Sequence, residues 1–439
     1  MNILVLDPEK KVSHRISKDT SGGYGTGNDF GDTPIPIFLK RTLKKVHDWP
    51  PMFALYTIAV LKKFNHNVIY QKDLPQDYKD YDLFIIVSSI VCCETECEFI
   101  KKLSVLKKRI FVIGPFATNL PQKYCDAGGD VIMGEPEFFF LKFKDLNQIE
   151  KKNKISFENN FNLDDLPYPE WETVIKDNKT SLLFGTDKSL PILATRGCPY
   201  SCFKYCVYPL QQGRKPRQRE PKFIVDELEY WNKKFNIKMF IFRDPVFSIN
   251  KKHTEEFCNE LINRNIKIKF IIETHLRILD SELIMLLKKA GLKAVKVGVE
   301  SYDENVLKES GRFSVSKDQQ LNKIRELENN NIQVSAMYIL GFPTDTDETI
   351  NKTINYAKKL NTTYAQFSVW TPYPGTPVFN EYKDKITANS YDEFDQYHLV
   401  YNHNLFNKRN IRNYLSKAYS WYYFRFSWLF KYIKSFMLS

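Results

Sequence analysis

No apolar run in the 439-residue chain reaches the length needed to cross a bilayer, so no transmembrane helix is expected. The opening residues, MNILVLDPEKK, lack the apolar core of a signal peptide and read as a short strand and a turn. Cysteine is sparse: eight in a chain of this length do not make a disulfide scaffold, and a reducing cytoplasm is the expected compartment. Broad disorder is excluded by a content of 43% hydrophobic and 15% aromatic residues. The net charge of +12 comes without a nucleic-acid-binding motif, so sequence-specific nucleic-acid recognition is not expected. Lysine-rich helix faces and an anionic ligand account for the excess charge.

What is present is two runs of alternating strand and helix patterns. Over residues 1–148 the strands NILVLD (2–7), DLFIIVSS (82–89), RIFVIG (109–114) and DVIMGE (130–135) alternate with helical stretches such as MFALYTIAVLKKF (52–64). That alternation predicts an α/β domain with a doubly wound parallel sheet, Rossmann-like in architecture. Ligands of such sheets sit at the carboxyl ends of the strands, which here carry Asp7, Ser88, Ser89, Gly114, Gly134 and Glu135. The stretch SGGYGTGNDFGD (21–32) does not directly follow the first strand, and Phe30 stands where a dinucleotide loop needs its third glycine. It reads as a flexible loop or lid.

Residues 149–188 read as a linker that packs across a domain junction. From 189 to 382 six strand–helix units follow, with strands at 191–196, 238–243, 268–274, 294–300, 333–341 and 364–371. This is a partial (β/α)6 barrel, two units short of a closed one, with active residues expected at the strand carboxyl ends. Residues 383–439 read as helical. The stretch 408–439 holds seven Lys or Arg and no acid, with aromatics at helical spacing. Packing on the barrel bottom or the domain junction is expected, with weak contact to a membrane surface as the alternative.

Cys198, Cys202 and Cys206 stand in RGCPYSCFKYC, just after the first barrel strand. Thiolates in a loop at a barrel mouth suit a cofactor. A structural zinc site closes its shell with a fourth Cys or His nearby, and the next histidine is His253. Three thiolates on a four-iron cluster instead leave one iron open to a substrate. Structural zinc and incidental thiols are the alternatives.

RGCPYSCFKYCVYP resembles the signature loop of the radical S-adenosylmethionine enzymes. That signature is usually Cys-x3-Cys-x2-Cys with an aromatic before the last cysteine. Here the spacing is Cys-x3-Cys-x3-Cys, with Tyr205 in the aromatic place. One extra residue, Phe203 or Lys204, would be absorbed as an outward bulge. The resemblance runs from about residue 190 to about 380 and implies a [4Fe-4S] cluster on the three cysteines and S-adenosylmethionine beside it. Asp244 of FRD would accept from the S-adenosylmethionine ammonium, and Glu300 and Ser301 of VGVES would meet its ribose or methionine. Arg312 would pair with the methionine carboxylate. Gly341 of YILGFPTDTDE, and Tyr373 and Pro374 of VWTPYPGTPVF, would lie at the adenine. Tyr205, His275 and Tyr373 are expected along the substrate path. On the residues alone, Glu300 also reads as a core carboxylate paired with Lys296 or Arg277, Gly341-Phe342-Pro343 as a turn, and Asp244-Pro245 as a strand-end turn.

The stretches PPMFALYTIAVLKKFNHNV (50–68), FIIVSS (84–89), FVIGPFATNLPQKY (111–124) and AGGDVIMGEPE (127–137) make the first domain similar to the cobalamin-binding domain of one radical subclass. The Asp-x-His-x-x-Gly motif of many cobalamin domains is missing, since His14, His47 and His66 follow Val12, Lys45 and Phe64. Cys92, Cys93 and Cys97 read as reduced thiols at a helix start near the macrocycle, with an auxiliary cluster as the alternative. The resemblance implies cobalamin-dependent methyl transfer to an unactivated carbon of a small-molecule substrate, with an electron donor such as a ferredoxin or flavodoxin. Radical rearrangement without cobalamin is the runner-up. A non-catalytic iron–sulfur electron-transfer or scaffold protein is the rival from another class.

Overall fold

The computed structural model describes residues 1–44, 48–175 and 188–437. His47 and most of the second half of the expected linker lie outside the described residues.

Two six-stranded sheets, each parallel throughout, organise the chain. The first contains β1 (Asn2–Leu6), β2 (Asn67–Gln71), β3 (Leu83–Val87), β4 (Arg109–Ile113), β5 (Asp130–Ile132) and β6 (Lys154–Ile155). Their spatial order is β2-β1-β3-β4-β5-β6. All five residues of β3, LFIIV, are buried, as expected of a parallel strand covered on both faces. The order reverses between β1 and β3, which is where a sheet of this kind opens a ligand crevice. β6 pairs with β5 beyond the expected boundary at residue 148, so the sheet takes up the start of the expected linker.

The second sheet contains β7 (Ser189–Ile192), β8 (Met239–Phe242), β9 (Lys269–Glu273), β10 (Leu292–Glu300), β11 (Gln333–Leu340) and β12 (Tyr364–Val369), each beside its predecessor. This is the expected partial barrel. The helix α1 (Met52–Lys63) is buried from Met52 to Leu61, and its apolar cluster also holds the barrel residues Leu190, Ile192 and Phe240. The two sheets therefore share one core.

A half barrel has open edges, and β12 is one of them. The helix α2 (Lys408–Tyr423) closes it with tyrosine hydroxyls. Tyr419 Oη accepts from the Phe367 amide at 3.1 Å and donates to its carbonyl at 2.9 Å. Tyr423 Oη does the same for Ala365, at 3.0 and 2.7 Å. Unpaired edge groups are thereby satisfied without another strand. The tail thus packs on the barrel edge rather than its bottom.

The glycine-rich stretch is a wedge, not an exposed lid. Tyr24 and Phe30 are buried, and Tyr24 Oη donates to the Pro374 carbonyl at 2.8 Å. A side chain at Gly31 would strike Ser416 of α2, and Arg412 of α2 pairs with Asp29 and Asp32 at 2.8 and 2.7 Å.

Candidate functional site

The cysteine loop is held at both ends by backbone contacts. Gly197 has φ +93°, and a Cβ there would lie 2.3 Å from the Lys215 carbonyl oxygen, so glycine is required. The Cys198 amide donates to the Gly213 carbonyl at 3.1 Å. Ser201–Lys204 then makes one tight helical turn, and the amides of Tyr205 and Cys206 both donate to the Cys202 carbonyl, at 3.1 and 3.0 Å. Residues three or four apart on a helix share a face. The extra residue is therefore absorbed as helix, by trading an i+3 for an i+4 spacing, and not as an outward bulge. The thiols are also less exposed than a surface loop would leave them: Cys198 and Cys202 are buried and Cys206 partly so.

Contact with Cys206 and the Arg312 guanidinium, whose Nη1 lies 3.7 Å from Cys202 Sγ, draws Cys202 down to about 6 against the effect of burial. Burial pushes Cys198 up to about 11. Among the described residues no three Cys, His, Asp or Glu gather closely enough for one metal ion. Cluster thiolates need no such gathering, because each binds a different iron.

Arg312 reaches this loop from beyond β10, after a short helix at Glu304–Glu309. The register of β10 against β11 slips between Gly298 and Glu300, and Glu300 has φ +64°. A left-handed non-glycine residue is strained by about 1–3 kcal/mol, and bulges of this kind re-aim a side chain. Here the bulge turns Glu300 to within 3.4 Å of Arg312 Nη2, which also donates to the Gly298 carbonyl at 3.0 Å. A Cβ on Gly298 would lie 2.3 Å from Glu300 Oε1 and 2.5 Å from Arg312 Nη2. Burial raises Glu300 to about 7 although Arg312 lowers it. Glu300 thus pairs with Arg312, and not with Lys296 or Arg277.

Tyr205 meets Phe342 edge-on with ring centroids 5.9 Å apart, next to Gly341 at φ +75°. The carbonyls of Gly341 and Phe342 accept from Tyr401 Oη and His403 Nε2, each at 2.9 Å. The loop is a clamped turn whose ring side faces the cysteines.

Other expected site residues have internal partners. Asp244 is fully buried and accepts from the amides of Ala194, at 3.1 Å, and Thr195. It ties β7 to β8 as a strand-end turn. His275 Nδ1 accepts from the Arg277 amide at 3.2 Å, so Nε2 carries the proton and donates to the Phe313 carbonyl at 3.0 Å. Both ring nitrogens are engaged, which makes His275 a positioning residue for the Arg312–Phe313 segment rather than a catalytic one. Ser301 Oγ accepts from the Asp303 amide at 3.1 Å and lies 3.2 Å from Thr353 Oγ1, turning the chain after β10. Tyr373 packs on Tyr24 with centroids 5.6 Å apart, and the Pro374 carbonyl accepts from Tyr24 Oη, so both dock the front sheet's wedge.

Sequence reasoning gave no role to Arg243, just past β8, or Glu273, at the end of β9, and named Lys296, midway along β10, only as a partner for Glu300. Arg243 Nε donates to Asp19 at 2.7 Å. Glu273 and Lys296 are register partners. Burial raises Glu273, and burial with the nearby Arg243 lowers Lys296 to about 8. A charge inside the apolar runs FIFR, FIIE and AVKV was the available signal.

The front-sheet residues divide in the same way. Ser88 Oγ accepts from the Ala117 amide at 3.1 Å, and Ser89 donates to Glu96 through its amide and Oγ, at 3.1 and 2.8 Å. Lys18 fills the β1–β3 crevice, bonded to Asp7 and Glu96 at 2.8 Å each. A side chain at Gly114 would lie 2.8 Å from Phe53. Glu135 binds Arg196 and Arg217 across the junction, at 2.6 and 2.9 Å. Cys92, Cys93 and Cys97 are buried in the helix start, and burial pushes Cys92 up to about 12.

Gly134 alone of these residues faces open space, with no atom within 4 Å of a built Cβ, and so does Gly213 on the barrel side. The two lie at opposite ends of the Glu135–Arg217–Gln212 chain of hydrogen bonds. Gln212 and Arg196 also line a narrow junction cleft of about 40 Å³, together with Asp19, Phe53, Tyr208 and Arg243.

Residues 192–357 match the family model described as the radical SAM superfamily. The chain is 25% identical to an uncharacterized methyltransferase of Pyrococcus horikoshii, over 96% of this chain and 92% of the relative. It is 24% identical to the bacteriochlorophyllide d C-12(1)-methyltransferase of Chlorobaculum tepidum, over 75% of this chain and 72% of the relative. Among solved structures, the radical S-adenosylmethionine methyltransferase TsrM from Kitasatospora setae, with cobalamin and a [4Fe-4S] cluster bound, matches with a TM-score of 0.62 at 17% identity. That match covers 88% of this chain and 78% of TsrM, and shows a common fold.

Proposed function

We propose that this chain, a member of the radical SAM superfamily by its residues 192–357, is a cobalamin-dependent methyltransferase acting on an unactivated carbon of a small molecule. The observation that carries this reading is the Arg312–Glu300 pair over the Cys202–Cys206 turn, in a space that only Gly298 leaves free. A protein that merely carried a cluster would need neither the strained Glu300 nor the glycine beneath it. The methyltransferase names of the relatives support the choice of methyl transfer over rearrangement.

Cys198, Cys202 and Cys206 would hold the cluster, and the open backbone faces at Gly134 and Gly213 would take the cobalamin edge. When bound, the cluster with S-adenosylmethionine supplies a 5′-deoxyadenosyl radical, and cobalamin supplies the methyl group. The chain's own contribution is position and exclusion of water. Arg312 presents a guanidinium suited to a carboxylate, and Glu300, near neutrality in its titration, can accept from an ammonium. Tyr205 and Phe342 offer ring faces to an adenine. Arg243, Asp19, Glu273 and Lys296 give the barrel mouth a charged lining suited to a polar substrate. A ferredoxin or flavodoxin is the proposed electron source.

The test is anaerobic reconstitution with iron, sulfide, S-adenosylmethionine and dithionite, with bound corrinoid read by mass spectrometry. The reading expects bound corrinoid, 5′-deoxyadenosine and S-adenosylhomocysteine. Absence of both products above background would sink it.

A further inference from the structure

The last helix, α3 (Phe426–Met437), is apolar on two faces, and the barrel covers one of them. Trp428 Nε1 donates to the Thr363 carbonyl at 2.9 Å, and its ring stacks on Tyr432 at 5.1 Å. Lys431 shares this inner face and pairs with Glu328 at 3.3 Å. The other face presents Phe426, Leu429, Phe430 and Ile433, exposed by 82%, 47%, 73% and 41%. Their spacing is i, i+3, i+4 and i+7, one continuous stripe. Phe424 and Trp421, also exposed, carry the stripe around the corner into α2. Single exposed apolar residues need no explanation, but a contiguous stripe of six marks an interaction surface.

Charge selects the occupant. The stretch 408–439 contains seven Lys or Arg and no Asp or Glu; three of the seven, Lys408, Arg412 and Lys431, pair with acids of other elements. Lys358 and Lys417 stand over the Trp421 ring at 5.0 and 4.2 Å, on the margin of the stripe. A second copy would set this cationic margin against itself, because a twofold contact uses the same patch twice. An anionic bilayer complements it, and aromatic residues with a basic margin are the composition of helices that lie in the membrane interface. Among the described residues no helix is long and apolar enough to cross.

We propose that α3 and the α2–α3 corner seat on an anionic lipid surface, with the aromatic stripe at the boundary between headgroups and acyl chains. The probe is co-sedimentation of the full chain with phosphatidylcholine vesicles, with and without phosphatidylglycerol. The chain is expected in the pellet with phosphatidylglycerol vesicles and released from them by salt. The double variant Phe426→Ser with Phe430→Ser is expected to lower the bound-to-free ratio by about tenfold or more. Its unfolding midpoint should not fall, because both side chains already face solvent. Three outcomes overturn the proposal: no pelleting with either vesicle, equal pelleting with both, or a dimer in sedimentation velocity that the same variant dissolves.

Discussion

Gly298 has no side chain, and the Glu300–Arg312 pair fills the volume where one would stand. Gly298→Ala is expected to yield folded protein that still loads iron, while 5′-deoxyadenosine formation falls by about a hundredfold, the usual effect of a displacement near 1 Å at reacting groups. Single-turnover assays on reconstituted protein would check this. Asp244 supplies a pH dependence. Burial holds it at about 7 in the fold, against about 4 in an unfolded chain. Folding therefore takes up a proton between those values, and this contribution to stability is full below pH 4 and lost as pH rises to 7. Asp244→Asn keeps an acceptor for the two amides and cannot ionise. Urea unfolding should show it gaining on wild type by on the order of 3 kcal/mol between pH 4 and pH 8. At this scale the cysteines were legible because ligand spacing is local in the sequence. The roles of Asp244 and His275 were not. A strand-end acid or histidine looks the same whether it faces a ligand or a backbone amide, and only the partner distinguishes the two.

Two tyrosines of one helix do the work of a missing strand at the barrel edge. Tyr419→Phe or Tyr423→Phe leaves an edge amide and carbonyl without their shared hydroxyl. Each should cost about 1–3 kcal/mol in denaturant unfolding. The cysteine turn makes a second prediction for an element. Deleting Lys204 converts the i+4 pair to i+3, still on one helical face, so iron content after reconstitution should survive. Cys206→Ala should lose most of it, and full retention would remove Cys206 from the ligand set. Strands and helices were readable from their periods, since burial repeats every two or 3.6 residues. The bulge at Glu300 and the turn at Cys202 were not, because a register slip leaves composition unchanged.

The molecule is joined across its two sheets by Arg196, which binds Glu135 and Glu137 at 2.6 and 2.5 Å and lies over the rings of Tyr56 and Phe138. Arg196→Ala would leave the buried Glu137 without a cation and Glu135 with Arg217 alone. Such a loss is worth about 3–5 kcal/mol. Thermal unfolding is expected to begin lower and to split into two steps, with new proteolytic cutting at the junction before either sheet is lost.

By itself the sequence determined the order of the two parallel sheets, the three cysteines and the acid-free, aromatic tail. Each of these is written in local spacing, period or composition. Tertiary structure decided which carboxylates remain open to a ligand. It closed the β1–β3 crevice with Lys18, turned Glu300 onto Arg312, and left open space at Gly134 and Gly213. These outcomes depend on which residue, tens or hundreds of positions away, supplies the nearest donor or leaves a gap. Pattern along the chain carries no record of that.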